Sequence, residues 1–197
     1  PVGDYMRVFC DRDQTAMARA LNPQWLGEDH SRAFVEAHFA RSGATRPIDQ
    51  TLRIDTQIML VDDPVKRVDN MTMAWGLEAR VPFLDHELVE LAAQVPAEHK
   101  VPGKHVLKEI AREVVPHEVI DRPKGYFPVP ALKYIQGPVK TLVQDVLSQQ
   151  VARDRALFRP EYLDTLLAEP KGHITPLGGS KLWQCALLEF WLQTHNL

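Results

Sequence analysis

Two short segments carry charged residues in settings that could do chemistry. In Trp75-Gly76-Leu77-Glu78-Ala79-Arg80-Val81-Pro82-Phe83-Leu84-Asp85, Glu78 and Arg80 stand two positions apart on a stretch that reads as extended. At that spacing both side chains point the same way, while Leu77, Ala79 and Val81 point to the other face. From pattern alone these two residues read as a structural ion pair that ties the loop to a neighbouring helix. In Arg122-Pro123-Lys124-Gly125-Tyr126-Phe127-Pro128 a cation lies between a fixed proline and a permissive glycine. Such a loop can hold positive charge against phosphate oxygens; a solvated lysine is the alternative reading. Asp62, Asp63, Lys66 and Asp69, just upstream, read as the cap and charged face of an amphipathic helix.

Other chemistries find less support. There is no GxGxxG after a strand and no GxxxxGK[ST]; Gly178-Gly179-Ser180-Lys181 has the letters of a phosphate loop without its spacing, and a helix cap explains it. His86 with Glu90 and His117 with Asp121 lie one turn apart, but neither completes an HExxH site, so they read as solvated surface pairs and no metal ligands are assigned. No Ser-His-Asp or Cys-His arrangement has a supporting motif. Cys10 and Cys185 form neither a CxxC pair nor a disulfide framework, which fits a reducing, cytoplasmic compartment.

The elements that must position these residues are helical. The chain has 197 residues, 45% hydrophobic and 25% charged, an average globular composition able to bury a sizeable core. Its 23 basic and 26 acidic residues are interspersed, which argues against a nucleic-acid arm or a membrane-binding patch. The most apolar stretch, Leu182 to Leu192, is interrupted by Gln184 and Glu189 and is too short to span a bilayer. Apolar residues recur at helical rather than strand spacing, so the fold class is mostly α.

Ser31 reads as the cap of a helix with Phe34, Val35, His38 and Phe39 on one side, stopping at Gly43; Pro47 opens the next, which runs to about Met59. Asp63-Pro64 reads as a fresh helix start, with Val65, Val68, Thr72 and Trp75 in register until Gly76 ends the segment. Asp85 caps a helix with Leu88, Leu91, Ala92 and Val95 inward, and Gly103 to Val115 repeats the pattern with Val106, Leu107, Ile110 and Val114. The prolines between Pro116 and Pro130 demand a shaped loop. Pro138 opens a helix with Val139, Leu142, Val143, Val146 and Leu147; another runs from Pro160 to Ala168; Ser180 caps the last, which bears Trp183, Leu187, Phe190 and Trp191.

Val68-Asp69 through Met73-Ala74, followed by Gly76-Leu77-Glu78-Ala79-Arg80-Val81-Pro82-Phe83-Leu84-Asp85, resembles the signature of the synthetase domain of glutamine-dependent asparagine synthetases. The resemblance continues in order through Gly103-Lys104-His105-Val106-Leu107-Lys108, Arg122 to Phe127, Leu182-Trp183 and Phe190-Trp191-Leu192. It covers residues 52–197, with 1–51 a less distinctive helical lead-in.

The resemblance implies a ligase in which the aspartate β-carboxylate attacks the α-phosphorus of ATP, pyrophosphate leaves, and ammonia converts the β-aspartyl-AMP to asparagine. It places Lys124 at the lysine that steadies the departing pyrophosphate and Glu78 at an acid near the reacting carbonyl, with Arg80 holding Glu78 and Arg122 a weaker phosphate contact. It also implies ATP and Mg2+, bound mainly by an upstream half, and ammonia from a glutaminase domain; a homodimer is compatible with it. The family's SGGxDS and SGEGxDE-type segments and its amino-terminal cysteine nucleophile are not in these residues, and the chain opens Pro1-Val2-Gly3-Asp4 without an initiator Met. The expectation is therefore the helical carboxy-terminal half of an α/β adenine-nucleotide α-hydrolase-like (PP-loop ATP pyrophosphatase) synthetase domain, inactive by itself. Asn70 departs from the family, which commonly has Arg there. Relatives that amidate or cyclise another carboxylate, or a non-catalytic helical scaffold, are the competing functions.

Overall fold

The computed structural model describes residues 1–101, 103–123, 125 and 135–197. Lys124 and residues 126–130 of the proline-rich loop lie outside the described residues. In chain order the helices are α1 (Val2–Phe9), α2 (Gln14–Ala20), α3 (His30–Phe39), α4 (Pro47–Ile54), α5 (Lys66–Met73), α6 (His86–Gln94), α7 (His105–Ala111), α8 (His117–Ile120), α9 (Gly137–Ser148), α10 (Gln150–Arg155), α11 (Pro160–Ala168) and α12 (Lys181–Thr194). Among the described residues there is no strand, only the isolated bridges Leu21 with Phe158 and Ile174 with Ser180. The mostly α reading holds. No helix among them is long and apolar enough to cross a membrane, and both cysteines are free. The chain divides into two compact units, one of residues 1–33 with the described part of 126–197, the other of residues 34–125.

The first unit is organised by α12. Leu182, Cys185, Ala186 and Glu189 recur at i, i+3, i+4 and i+7 and are its buried face. The three apolar ones pack with Ile135, Val143, Leu147 and Leu166. That stripe is offset from the larger residues that dominate the sequence pattern, so Leu187, Phe190 and Trp191 are exposed. Leu142 is likewise exposed on α9, where Val143, Val146 and Leu147 are buried. Ser180 caps α12 as expected, accepting from the Trp183 N–H at 3.2 Å. Upstream, Asp13 caps α2 through the Ala16 N–H at 2.7 Å. The neighbouring Arg12 donates to Gln184 Oε1 (2.9 Å), Tyr162 Oη (2.8 Å) and Lys181 O (3.2 Å), fastening the amino-terminal turn to the start of α12.

Buried Glu189 pairs with Arg155, whose guanidinium also donates to the Leu197 carbonyl. Gln193 Nε2 donates to Glu189 Oε1 at 3.1 Å and to Val146 O at 2.9 Å, so the buried carboxylate has a second partner.

From α3 onward several expectations need correction. The cap of α3 is Asp29, whose carboxylate accepts from the Arg32 N–H at 3.0 Å, rather than Ser31, which lies inside the first turn. A carboxylate beside the exposed N–H groups also complements the helix dipole. Pro47 does open α4, but Asp63-Pro64 does not start a helix. The chain stays helical from Pro47 to Met73 by widening: the Leu60 N–H reaches back to Asp55 O and the Lys66 N–H to Val61 O. A proline inside a helix lacks the i to i−4 donor and crowds the preceding turn, and a wider turn accommodates both. Helix α7 is also shorter than expected, ending at Ala111.

Asp85 does cap α6, accepting from the Glu87 N–H at 3.0 Å and the Leu88 N–H at 3.4 Å. The expected inward faces of α6 and α7 are not buried. Leu88, Leu91 and Ala92, and Val106, Leu107, Ile110 and Val114, are exposed, and Val95 is half-buried. Periodicity reveals that a helix has an apolar face but does not supply the surface that covers it. The buried apolar residues of the second unit are Val35, Phe39, Ile54 and Ala97.

His38 is buried among them at the end of α3. Arg53 donates to the His38 carbonyl at 2.7 Å, to Ser42 O at 2.8 Å and to Arg41 O at 3.1 Å, satisfying the carbonyls that follow the helix. His38 Nδ1 and Arg53 Nε have no hydrogen-bond partner among the described residues. Burial, then the charges of Arg41 and Arg53, hold the imidazole below its ordinary value of 6.5. The unfolded chain therefore binds this proton at higher pH than the folded one. The stability that the neutral ring contributes is present above pH 6.5 and is lost as pH falls below it toward the folded value. Thermal midpoints measured at pH 7.5 and 5.5 should fall further in the wild-type chain than in His38→Phe. Equal falls would remove His38 as the cause.

Candidate functional site

The Glu78-Arg80 segment is held between two helix ends. Helix α5 closes with the Gly76 N–H donating to Met73 O at 3.0 Å and the Leu77 N–H to Thr72 O at 3.1 Å. This is the pair of bonds that needs a left-handed residue between them, and Gly76 supplies it with φ of +65°. Residues 77–81 then run without regular structure into a short turn, Pro82–Leu84, and the Asp85 cap of α6.

On that segment Arg80 Nε lies 3.2 Å from Glu78 Oε1, with side chains 84% and 70% exposed. The pair is made between the two residues themselves instead of with a neighbouring helix, because two positions along an extended chain bring long side chains onto one face. At this exposure the pair adds little stability, and both side chains are open to an incoming group. Trp75, one residue before the glycine, is 90% exposed.

The second charged segment begins at α8. Arg112, just past α7, grips Asp121, just past α8: Nη1 to Oδ2 is 2.9 Å and Nη2 to Oδ1 is 3.0 Å. The Arg112 Nε donates to Glu109 Oε1 at 3.1 Å. This fork keeps the Asp121 carboxyl below the usual carboxylate range, chiefly through the Arg112 hydrogen bonds, and makes the guanidinium harder to deprotonate. Asp121 is thus engaged with Arg112, where the sequence suggested a solvated partner for His117.

Arg122 follows, exposed, and Pro123 after it. No ion pair among the described residues links Arg122 to Glu78. Arg112 escaped the sequence reading. Its signal is a cation at the end of one helix, nine residues before an acid that ends the next and directly precedes Arg122-Pro123-Lys124.

The Gly178 segment is a cap and not a phosphate cradle. Its donors are already used: Gly178 N–H to Thr175 O at 2.9 Å, Gly179 N–H to Thr175 Oγ1 at 2.8 Å and Lys181 N–H to His173 O at 3.0 Å. A Cβ at Gly179 would come within 3.1 Å of Gln184 and Thr175 and 3.4 Å of the Asp11 carboxylate, a crowded and acidic place for a phosphate. Among the described residues no three His, Cys, Asp or Glu side chains gather as a metal site.

The chain matches the family model described as asparagine synthase over residues 4–193. It is 27% identical over 190 residues to asparagine synthetase (glutamine-hydrolyzing) 1 of Bacillus subtilis, covering 94% of this chain and 29% of that protein. It is 36% identical over 134 residues to a putative asparagine synthetase (glutamine-hydrolyzing) of Mycobacterium tuberculosis, covering 66% of this chain and 20% of the relative. To asparagine synthetase (glutamine-hydrolyzing) of Gallus gallus it is 32% identical over 109 residues, 52% of this chain and 19% of the relative. The chain thus spans less than a third of the length of these curated relatives. No solved structure matches it.

Proposed function

The chain belongs to the asparagine synthase family, and from that membership we propose that it is part of an ATP-dependent carbon–nitrogen ligase that forms asparagine from aspartate. The observation that carries this reading is the family match itself, which runs from residue 4 to 193 and takes in both charged segments. The names of the relatives add glutamine hydrolysis, so ammonia would come from a glutaminase site outside these residues.

In this reaction the β-carboxylate of aspartate attacks the α-phosphorus of ATP, forming a carboxyl–phosphate bond as the bond to pyrophosphate breaks. Ammonia then attacks the acyl carbon, loses a proton, and AMP departs. Negative charge grows on the departing pyrophosphate in the first step, and a fixed ammonium at Lys124 lowers the energy of that state. Glu78 orients the amine or takes its proton in the second. Arg80, 3.2 Å from Glu78, helps aim the carboxylate. Arg122 contributes positive charge near the phosphates. ATP would rest mainly on polypeptide upstream of this region, within an α/β nucleotide-binding domain. Among the described residues no three His, Cys, Asp or Glu side chains gather as a metal site, so Mg2+, like ATP, would be held mainly by the upstream polypeptide.

An intact synthetase carrying this segment, supplied with ATP, aspartate and ammonia, should release AMP and pyrophosphate in step with asparagine. Release of ADP and phosphate would overturn the acyl-adenylate route. The alternative reading is a relative of the same family in which another carboxylate is amidated or cyclised. AMP release that ignores aspartate but responds to a different acid would put that reading first.

A further inference from the structure

The segment between α5 and α6 is short and tied at both ends. The Leu77 N–H donates to Thr72 O at 3.1 Å, and Val81 O accepts from the Leu84 N–H at 2.8 Å. Only Glu78, Ala79 and Arg80 lie between those two anchors. Gly76 sets the entry with its left-handed φ, and Asp85 fixes the exit by capping α6. The backbone that carries Glu78 and Arg80 is thus placed by bonds made on either side of it, and neither side chain is consumed in placing it.

Arg80 meets Glu78 Oε1 through its Nε, at 3.2 Å. Among the described residues no hydrogen bond or ion pair engages its two Nη groups. Those groups form a second edge of the guanidinium, with two parallel donors that match a carboxylate. With the side chain 84% exposed, that edge is open to an incoming group.

Charge decides which group suits it. The Glu78 carboxylate beside the guanidinium offsets much of its pull on a distant anion, and a phosphate brought onto the open edge would be repelled by Glu78 as well. A carboxylate that carries an ammonium on the next carbon escapes that repulsion, because the ammonium is attracted by Glu78 while the carboxylate takes the two Nη donors. This is the head group of an α-amino acid.

We propose that Arg80 is a substrate-binding residue: its Nη edge takes the α-carboxylate of the amino acid whose side-chain carboxylate is activated, while its Nε edge stays on Glu78. This rests on the aspartate-ligase reading given above. The competing account is that Arg80 only aims Glu78. The two differ in whether the loss of Arg80 depends on the substrate's having an α-carboxylate.

The test is ATP–pyrophosphate exchange by the intact synthetase, wild type and R80A, with aspartate and with β-alanine, which is aspartate without its α-carboxylate. Residue and substrate group then form a double cycle. Loss of a charged hydrogen-bonded contact is worth about 10- to 100-fold, so R80A should lower kcat/KM for aspartate by that order, mainly through KM. With β-alanine the same substitution should cost far less, so the wild-type preference for aspartate shrinks by about tenfold or more. R80K keeps the charge without the fork and should recover part of the loss. The thermal midpoint should not move, because the pair is exposed. Exchange by R80A with aspartate at the wild-type rate and KM would overturn the proposal. So would an equal loss with both acids, which would leave Arg80 as an aiming device for Glu78. A wild-type enzyme that uses β-alanine as well as aspartate would overturn it too, since the α-carboxylate would then have no partner. Wild-type exchange that does not respond to aspartate at all is a different failure: it removes the aspartate-ligase reading itself, and the role of Arg80 goes with it.

Discussion

Replacing Glu189 by alanine should destabilise the 197-residue chain by about 3–5 kcal/mol, the usual result of leaving one partner of a buried ion pair alone. Glu189 is 1% exposed, on the same face of α12 as Leu182, Cys185 and Ala186. Its carboxylate is the partner of Arg155, which joins α10 to α12 and holds the Leu197 carbonyl. Without it, a guanidinium with a side chain only 10% exposed loses its carboxylate partner and keeps the Leu197 carbonyl alone. Glu189→Gln, which keeps the shape and one acceptor, should fall between wild type and alanine. Arg155→Met with Glu189→Leu should be milder than either single change to alanine, because no unpaired charge is left behind. Denaturant midpoints of the four variants decide the matter, and a Glu189→Ala midpoint equal to wild type would refute the account. The contrast with Glu78 is instructive. The Glu78-Arg80 pair has the same chemistry on an exposed segment, where such pairs are worth at most about 1 kcal/mol. Loss of Glu78 should therefore be read in turnover and not in stability.

What could be read from the sequence was local. Pro47, Pro138 and Pro160 each stand in the first turn of a helix, Asp85 and Ser180 each cap one, and Gly76 stops α5, because each acts through backbone groups within a few residues of itself. What failed was longer in range. Asp63-Pro64 looks like a start, and only the wider turns on either side of Leu60 let the helix run through it. Leu91 and Ile110 lie on apolar faces, yet both are 63% exposed. The spacing marks an apolar face, and burial needs a covering surface that spacing does not supply. The pairing of Arg155 with Glu189 joins residues 34 apart, and no propensity or spacing announces it. The candidate site was legible in a different sense. The Glu78-Arg80 contact follows from two-residue spacing, whereas the joint role of Glu78 and Lys124 comes from the family resemblance alone.

The sharpest functional expectation concerns Lys124. Removing a fixed charge that meets developing negative charge typically lowers kcat by about 10²- to 10³-fold, and Lys124→Ala should reduce ATP–pyrophosphate exchange by that order in the intact synthetase. In the proposed role the lysine acts on charge that appears as pyrophosphate leaves, so kcat should fall much more than KM for ATP rises. Lys124→Arg tests the geometry. Arginine keeps the charge but spreads it over a planar fork on a different stem, so recovery should be partial. If Lys124→Ala exchanges at the wild-type rate, the segment is the helical scaffold that competes with the ligase reading. The exposed faces of α6 and α7 would then be its working surface, and Glu78 and Arg80 an ordinary surface pair.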